Sequence, residues 1–223
     1  MTISNVLKEG VSIGLKNFLS LVGACILYIL TIWIPYLNVG TTIAMATLPA
    51  ALSRGEVISP MEILDAKYRK NMGNFFLLSV LMSLGILIGF MFMIIPGIIL
   101  AYSWSLAILL LVDKGLNPMQ ALNESNTRTY GHKWTIFFSF IVLGFGYFGI
   151  SLLISLIGSD SSCMDEFMNY GVDYFTAATI CTSWWASVLH VVLMLLYFPI
   201  QLGVMAVIYR TLGSDTPAVS NEG

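Results

Sequence analysis

Few side chains in this 223-residue chain are of a type and spacing that do chemistry, and most stand alone. The two histidines, His132 and His190, belong to no H-x-x-x-H pair. There is no C-x-x-C and no phosphate-binding G-x-x-x-x-G-K, and no G-x-G-x-x-G stands before a helix. No catalytic residue, metal ligand set or cofactor site is therefore assigned, and an enzyme is the least favoured class. His190 is the residue to single out, because it lies inside the apolar run 184–208. Intramembrane ionisable groups are rare and face a bundle interior or a wet cavity. It is read either as a neutral imidazole bonded to a neighbouring helix or as a proton-relay or ligand contact. Gln201 lies eleven residues on, so one helix face can carry both, and Pro199 between them removes a backbone bond and kinks the helix. His190 and Gln201 are the candidate polar path.

A second set of reactive side chains lies in segment 158–177. Asp160, Asp165, Glu166 and Asp173 occur there without a Lys or Arg. The spacing matches no EF-hand loop, so a solvated acidic loop is the plain reading and a weak divalent-cation site the sharper one. Cys163 and Cys181 fall on or near the outer side of the expected topology, where a disulfide between them is possible. Cys25 lies in the first apolar run and is read as packing. Phe167, Met168, Tyr170, Tyr174 and Phe175 mark this segment as a lid on the outer membrane surface.

The elements that must position these groups follow from composition. The chain is 57% hydrophobic and 10% charged, with mean hydropathy +0.86, whereas soluble domains are about a quarter charged. It reads as an all-α integral membrane protein. Apolar runs at 18–34, 36–52, 75–93, 98–112, 134–157 and 184–208 give six transmembrane helices arranged as three hairpins. The alternative to the first two crossings is a pair of re-entrant halves, whose broken backbone needs protein cover. With six spans all ten Lys and Arg residues fall on one side, which places both termini in the cytoplasm of a bacterial cell. Trp33, Tyr36, Tyr174, Trp184 and Trp185 would form the outer aromatic belt, and Trp134 and Tyr209 the inner one. Ala44-Met45-Ala46 has the form of a signal cleavage site, but the preceding apolar stretch is too long for an h-region, so the first span is expected to be retained.

Ser59-Pro60-Met61-Glu62 has a near copy at Asn117-Pro118-Met119-Gln120. Each offers an N-cap, a proline at N1 and a carboxylate or amide at N3 able to reach back to the cap. Each predicts a cytoplasmic amphipathic helix of about four turns, with Gly73 and Gly131 marking the bend into the membrane. Leu7, Val11, Leu15 and Phe18 give a fainter third copy. Residues 1–213 thus read as one membrane domain with possible repeats at 1–52, 53–112 and 113–213, followed by a disordered tail at 214–223. Arg54, Lys67, Arg69, Lys70, Arg128 and Lys133 are candidate contacts to lipid headgroups. The motif Gly85-x-x-x-Gly89 and the set Gly144, Gly146 and Gly149 are candidate helix-packing faces, within the chain or between copies. Met91 and Met93 near the expected outer turn are candidate ligand contacts.

Two stretches carry a resemblance: Ile95–Phe137 (IPGIILAYSWSLAILLLVDKGLNPMQALNESNTRTYGHKWTIF) and Phe198–Leu212 (FPIQLGVMAVIYRTL). The Ile-Pro-Gly turn, the Asp-Lys-Gly, the Ala121-Leu122-x-x-Ser125 helix and the Gly131-x-x-Trp134 entry resemble a loose group of uncharacterised bacterial multi-pass proteins. That group includes the membrane domain fused to some glycerophosphodiester phosphodiesterases. The resemblance covers about a quarter of the chain and implies a six-helix membrane module. The phosphodiesterase domain has no counterpart here, so no activity carries over. The first functional expectation is a non-enzymatic assembly module, self-associating or binding a membrane partner. The second is a channel or small-solute transporter with its path near His190 and Gln201, and the third is a lipid-binding or lipid-handling protein. The lipid bilayer is the expected partner, and nucleic acid is not.

Overall fold

The computed structural model describes residues 1–56 and 58–213; the tail expected to be disordered lies outside them. The described chain is helical and contains no strand, only an isolated bridge between Ser159 and Thr182. In order the helices are α1 (Ile3–Lys16), α2 (Phe18–Thr31), α3 (Leu37–Ser53), α4 (Met72–Phe92), α5 (Ile94–Ser103), α6 (Ala107–Lys114), α7 (Pro118–Thr129), α8 (Lys133–Gly158), α9 (Ser161–Asn169), α10 (Tyr174–Ile180) and α11 (Trp184–Leu212). Two 3₁₀ turns, Pro60–Leu64 and Ala66–Asn71, precede α4. Among the described residues, four stretches are long and apolar enough to cross a membrane: α4, α5 with α6, α8 and α11. A fifth exists only if α1 and α2, bent by 72° at Asn17, count as one span. At 17 residues, α3 is a shorter apolar helix.

The chain divides into two compact units, residues 1–139 together with the chain from Pro199, and residues 140–198. In the first, α4 and α5 form a tight hairpin. A Cβ on Gly85 would meet the Trp104 ring at 2.4 Å, and one on Gly89 would meet the Gly97 backbone at 3.0 Å. Leu78 on α4, Ala107 and Leu111 on α6, and Ala121 and Leu122 on α7 make one buried cluster. Between α5 and α6 the helix breaks, and Ser125 of α7 fills the break. Its hydroxyl donates to the Ser103 carbonyl at 2.7 Å and accepts from the Leu106 amide at 3.2 Å. An interrupted backbone at this depth is satisfied by protein, as apolar surroundings require.

The two look-alike helix starts fold differently. Asn117 caps α7 with the full reciprocal arrangement: its side chain accepts from the Gln120 amide, and the Gln120 side chain accepts from the Asn117 amide. At Ser59 there is no side-chain cap bond. Glu62 is engaged instead by the Lys67 ammonium at 2.7 Å. Asp65 accepts from the Lys67 amide and starts a second turn. The expected four-turn helix becomes two 3₁₀ turns because the acid at N3 and the acid after it bind Lys67 rather than the cap. Gly73 lies inside α4, not at a bend, whereas Gly131, at φ +80°, does mark the turn into α8.

The glycine faces also differ from expectation. A Cβ on Gly144, Gly146 or Gly149 would meet nothing within 4 Å among the described residues, so these glycines do not form a close helix-packing face there. The closest backbone approach in the first unit lies at a motif the sequence analysis passed over, Gly10-x-x-x-Gly14 in α1. A Cβ on Gly10 would meet Val204 Cα at 2.7 Å, and one on Gly14 would meet the Pro199 carbonyl oxygen at 2.5 Å. Gly203 answers from α11, where a Cβ would lie 2.1 Å from the Gly10 carbonyl oxygen. Small residues let two helix backbones approach this closely. The contacts of Glu9 with Arg210 and of Met1 with Thr211 carry the same antiparallel pairing to the end of α11.

The expected first hairpin meets its own loop. The Arg69 guanidinium lies 5.7 Å from the Tyr36 ring centroid, and the Arg69 side chain presses on Gly40. Tyr36 and Arg69, expected at opposite membrane faces, are neighbours, because segment 58–71 folds back along α2 and α3. In the second unit, Cys163 and Cys181 are joined in a disulfide that clasps α9 to α10, and Met164 and Ala177 are buried beside it.

Candidate functional site

Three places gather side chains capable of recognition. The first is a charged lattice where α3 and α6 end and α11 closes. The Arg54 guanidinium donates to the Glu56 carboxylate at 2.6 Å and to Asp113 Oδ1 at 2.6 Å. Asp113 Oδ2 accepts from the buried Tyr209 hydroxyl at 2.7 Å. The bond to Glu56, with Asp113 adding to it, holds Arg54 well above its ordinary pKa. Lys67 is raised in the same way, chiefly by its bond to Glu62, and burial pushes the Tyr68 phenol up. A polar cavity of about 310 Å³ lies against this lattice, between Thr47 and Ala50 of α3, Glu62, Lys67 and Tyr68 of the loop, and Asp113. Its cations are each engaged by a carboxylate, so charge does not single out a ligand there.

The second place is His190. Its Nδ1 is 2.8 Å from the Ala186 carbonyl oxygen, which only accepts, so Nδ1 carries the proton. Nε2 lies 3.3 Å from the Ser155 hydroxyl, so the ring bridges α11 to α8. Tyr147 and Tyr197 stack at 4.7 Å between the same two helices. Gln201 is exposed. Neither His190 nor Gln201 lines the charged cavity or the groove described next.

The third place is an apolar groove of about 350 Å³ in the first unit. Ile95, Ile98, Ile99 and Tyr102 of α5 form one wall, and Trp134 and Phe137 of α8 the other. Phe137 packs edge-on against Tyr102 at 5.4 Å and Trp134 against Phe137 at 5.7 Å, which fixes the floor. Lys133 and Tyr130 stand at the α7–α8 corner of the groove, where Gly131 turns the chain. The Lys133 ammonium donates to Asn126 Oδ1 at 2.9 Å and leaves donors for a further acceptor. The sequence named Lys133 and Trp134 but not the groove, because its other wall comes from α5.

The remaining headgroup candidates are mostly engaged within the protein. Arg128 binds Glu124 at 2.7 Å and the Leu212 carbonyl at 3.2 Å. Arg54 and Lys67 are paired as above, and Arg69 lies over Tyr36. Lys70 is exposed. Met91 and Met93 are strongly exposed at the α4–α5 turn. In the acidic segment, the Ser162 hydroxyl, with the Ser162 and Cys163 amides, holds Asp160 below the usual carboxylate range. Asp160 and Asp173 cap α9 and α10. Among the described residues no three His, Cys, Asp or Glu side chains are grouped to hold a metal. No family model, curated protein or solved structure matches the chain.

Proposed function

We propose that this chain is a non-enzymatic multi-pass protein of a bacterial cytoplasmic membrane that binds a phospholipid in the α5–α8 groove. The groove carries this reading. It has an apolar lining, and at one corner a lysine, a tyrosine and a tryptophan, the residue types that meet headgroups at a membrane surface. Each buried methylene contributes about 0.8 kcal/mol, and the ammonium of Lys133 selects an anionic headgroup. The orientation places the Lys and Arg loops in the cytoplasm. The Cys163–Cys181 disulfide supports it independently, since such bonds persist on the oxidising side of a membrane.

Native mass spectrometry after extraction in mild detergent tests the reading. The parent protein is expected to retain an anionic phospholipid, Ile99→Trp to lose it by filling the trough, and Lys133→Gln to lose its headgroup selectivity. Equal retention in all three would sink it.

Self-assembly is the second reading, favoured by α8. No residue of its most apolar stretch is buried in this chain, and Gly144, Gly146 and Gly149 face open space. A stable dimer in the same spectra, lost in a Gly146→Leu variant, would put assembly first.

A further inference from the structure

The α2–α3 hairpin was expected to cross the bilayer. We infer instead that it lies in the plane of the cytoplasmic leaflet, with the exposed apolar face of α2 docked into phospholipid and the charged loop 54–71 on its aqueous side.

The course of the loop carries this inference. It leaves α3 at Arg54, which is tied to Glu56 and Asp113. It then returns along the same helix until Arg69 reaches Gly40 and Tyr36. From residue 54 back to residue 40 is about 21 Å of helix at 1.5 Å per residue. Along that distance the loop carries Glu62, Asp65, Lys67, Arg69 and Lys70. If α3 crossed the hydrocarbon, these charges would cross beside it, among the costliest placements in a bilayer. If α3 lies in the plane, all of them stay at one aqueous surface.

Other contacts agree. Ile58 and Ile63 of the loop are buried, the Ser20 hydroxyl donates to the Ile58 carbonyl, and Pro60 presses on Gly23, so the loop covers the start of α2 as well. At 14 residues, α2 falls short of the roughly 20 a crossing needs. It also turns 72° from α1, and α1 is locked along the C-terminal stretch of α11 by Gly10 and Gly14. The other side of the hairpin is apolar and open. On α2, Leu19 is 83% exposed and Ile26, two turns on, 52%, and Trp33, in the turn just past the helix, is 87% exposed. Lys16 at the bend and Lys70 near the end of the loop are exposed at its rim, where anionic headgroups complement them. An amphipathic surface of this kind, apolar below and charged above, is that of an interfacial rather than a spanning element.

The inference does not depend on the α5–α8 groove, and its test uses other residues. In a Cys25→Ser background with the disulfide intact, single cysteines at Leu19, Ile26 and Trp33 are labelled with an environment-sensitive fluorophore. The full-length protein is placed in phosphatidylcholine–phosphatidylglycerol nanodiscs carrying a nitroxide high or low on the acyl chain. An in-plane helix gives the same shallow-to-deep quenching ratio at all three positions, with the shallow nitroxide stronger by about twofold or more. A crossing helix gives a ratio that inverts at Ile26 relative to Leu19 and Trp33, and that result overturns the inference. Absence of lipid quenching at all three positions overturns it too, since water or another protein would then cover the face. Labelling of Lys70→Cys by an impermeant maleimide from the side that labels Arg210→Cys is the second requirement, and labelling from the opposite side is equally fatal.

Discussion

Replacing Gly203 by alanine separates two kinds of glycine that the sequence presents alike. At Gly203 the added methyl would lie 2.1 Å from the Gly10 carbonyl oxygen and 2.8 Å from the Gly14 amide nitrogen, against an ordinary contact of 3.4 Å or more. Both neighbours are backbone, so no side chain can rotate away, and α1 must move off α11 by roughly an ångström. Overpacking of this sort costs about 1–3 kcal/mol, while replacing a helical glycine returns about 1 kcal/mol. A net loss of about 1–2 kcal/mol is expected, because the clash is with main chain. For a chain of this size that is about 2–8 °C in Tm at roughly 2–4 °C per kcal/mol. Gly146→Ala is the matched control: its methyl meets nothing within 4 Å, so only the helix-propensity gain remains and Tm is expected to stay level or rise slightly. The assay is thermal unfolding of the purified variants in one detergent, followed by far-ultraviolet circular dichroism. If Gly203→Ala melts no lower than Gly146→Ala, the α1–α11 crossing as described is wrong.

The other predictions concern the charged lattice and the outer segment. Asp113→Leu leaves the buried Tyr209 hydroxyl without its acceptor and is expected to cost about 1–3 kcal/mol. Arg54→Gln, at a side chain 46% exposed, is expected to cost about 1 kcal/mol or less; a reversed order in thermal unfolding would count against the lattice. Reduction of Cys163–Cys181, which closes a sequence separation of 18 residues, removes about 3 kcal/mol on a chain-entropy account. It should open the segment between α8 and α11 to protease and leave cleavage within α4–α7 unchanged. The depressed pKa of Asp160 means that its contribution is present above the ordinary carboxylate value of 3.8 and is lost as pH falls through the lower folded value. Protection of the residue 160–165 amides, taken relative to the intrinsic exchange rate at each pH, should therefore fall as pH drops below the ordinary carboxylate value in the parent but not in Asp160→Asn.

Legibility in the sequence followed the range of the interactions. The apolar runs and the α7 capping box involve neighbours in the chain or the bilayer as solvent, and composition and spacing determine them. His190 was legible as the singular intramembrane group, but its roles were not, since Ser155 reaches it from 35 residues away. The two proline-led helix starts show the limit of local reading. They share cap, proline and N3 chemistry, yet only Asn117 nucleates a regular α-helix, because Lys67 takes the acids that would have served the other.

What only tertiary structure decided is which of several equivalent surfaces meet. Gly10, Gly14 and Gly203 look no different in sequence from Gly144, Gly146 and Gly149, yet the former are crossed by backbone and the latter are bare. The groove needs a wall from α5 and another from α8. Arg69 finds Tyr36 across more than thirty residues of chain. The sequence alone determined that the chain is helical and apolar. Pairing between distant helices rests on close packing over many atoms, and no local pattern encodes which faces are chosen.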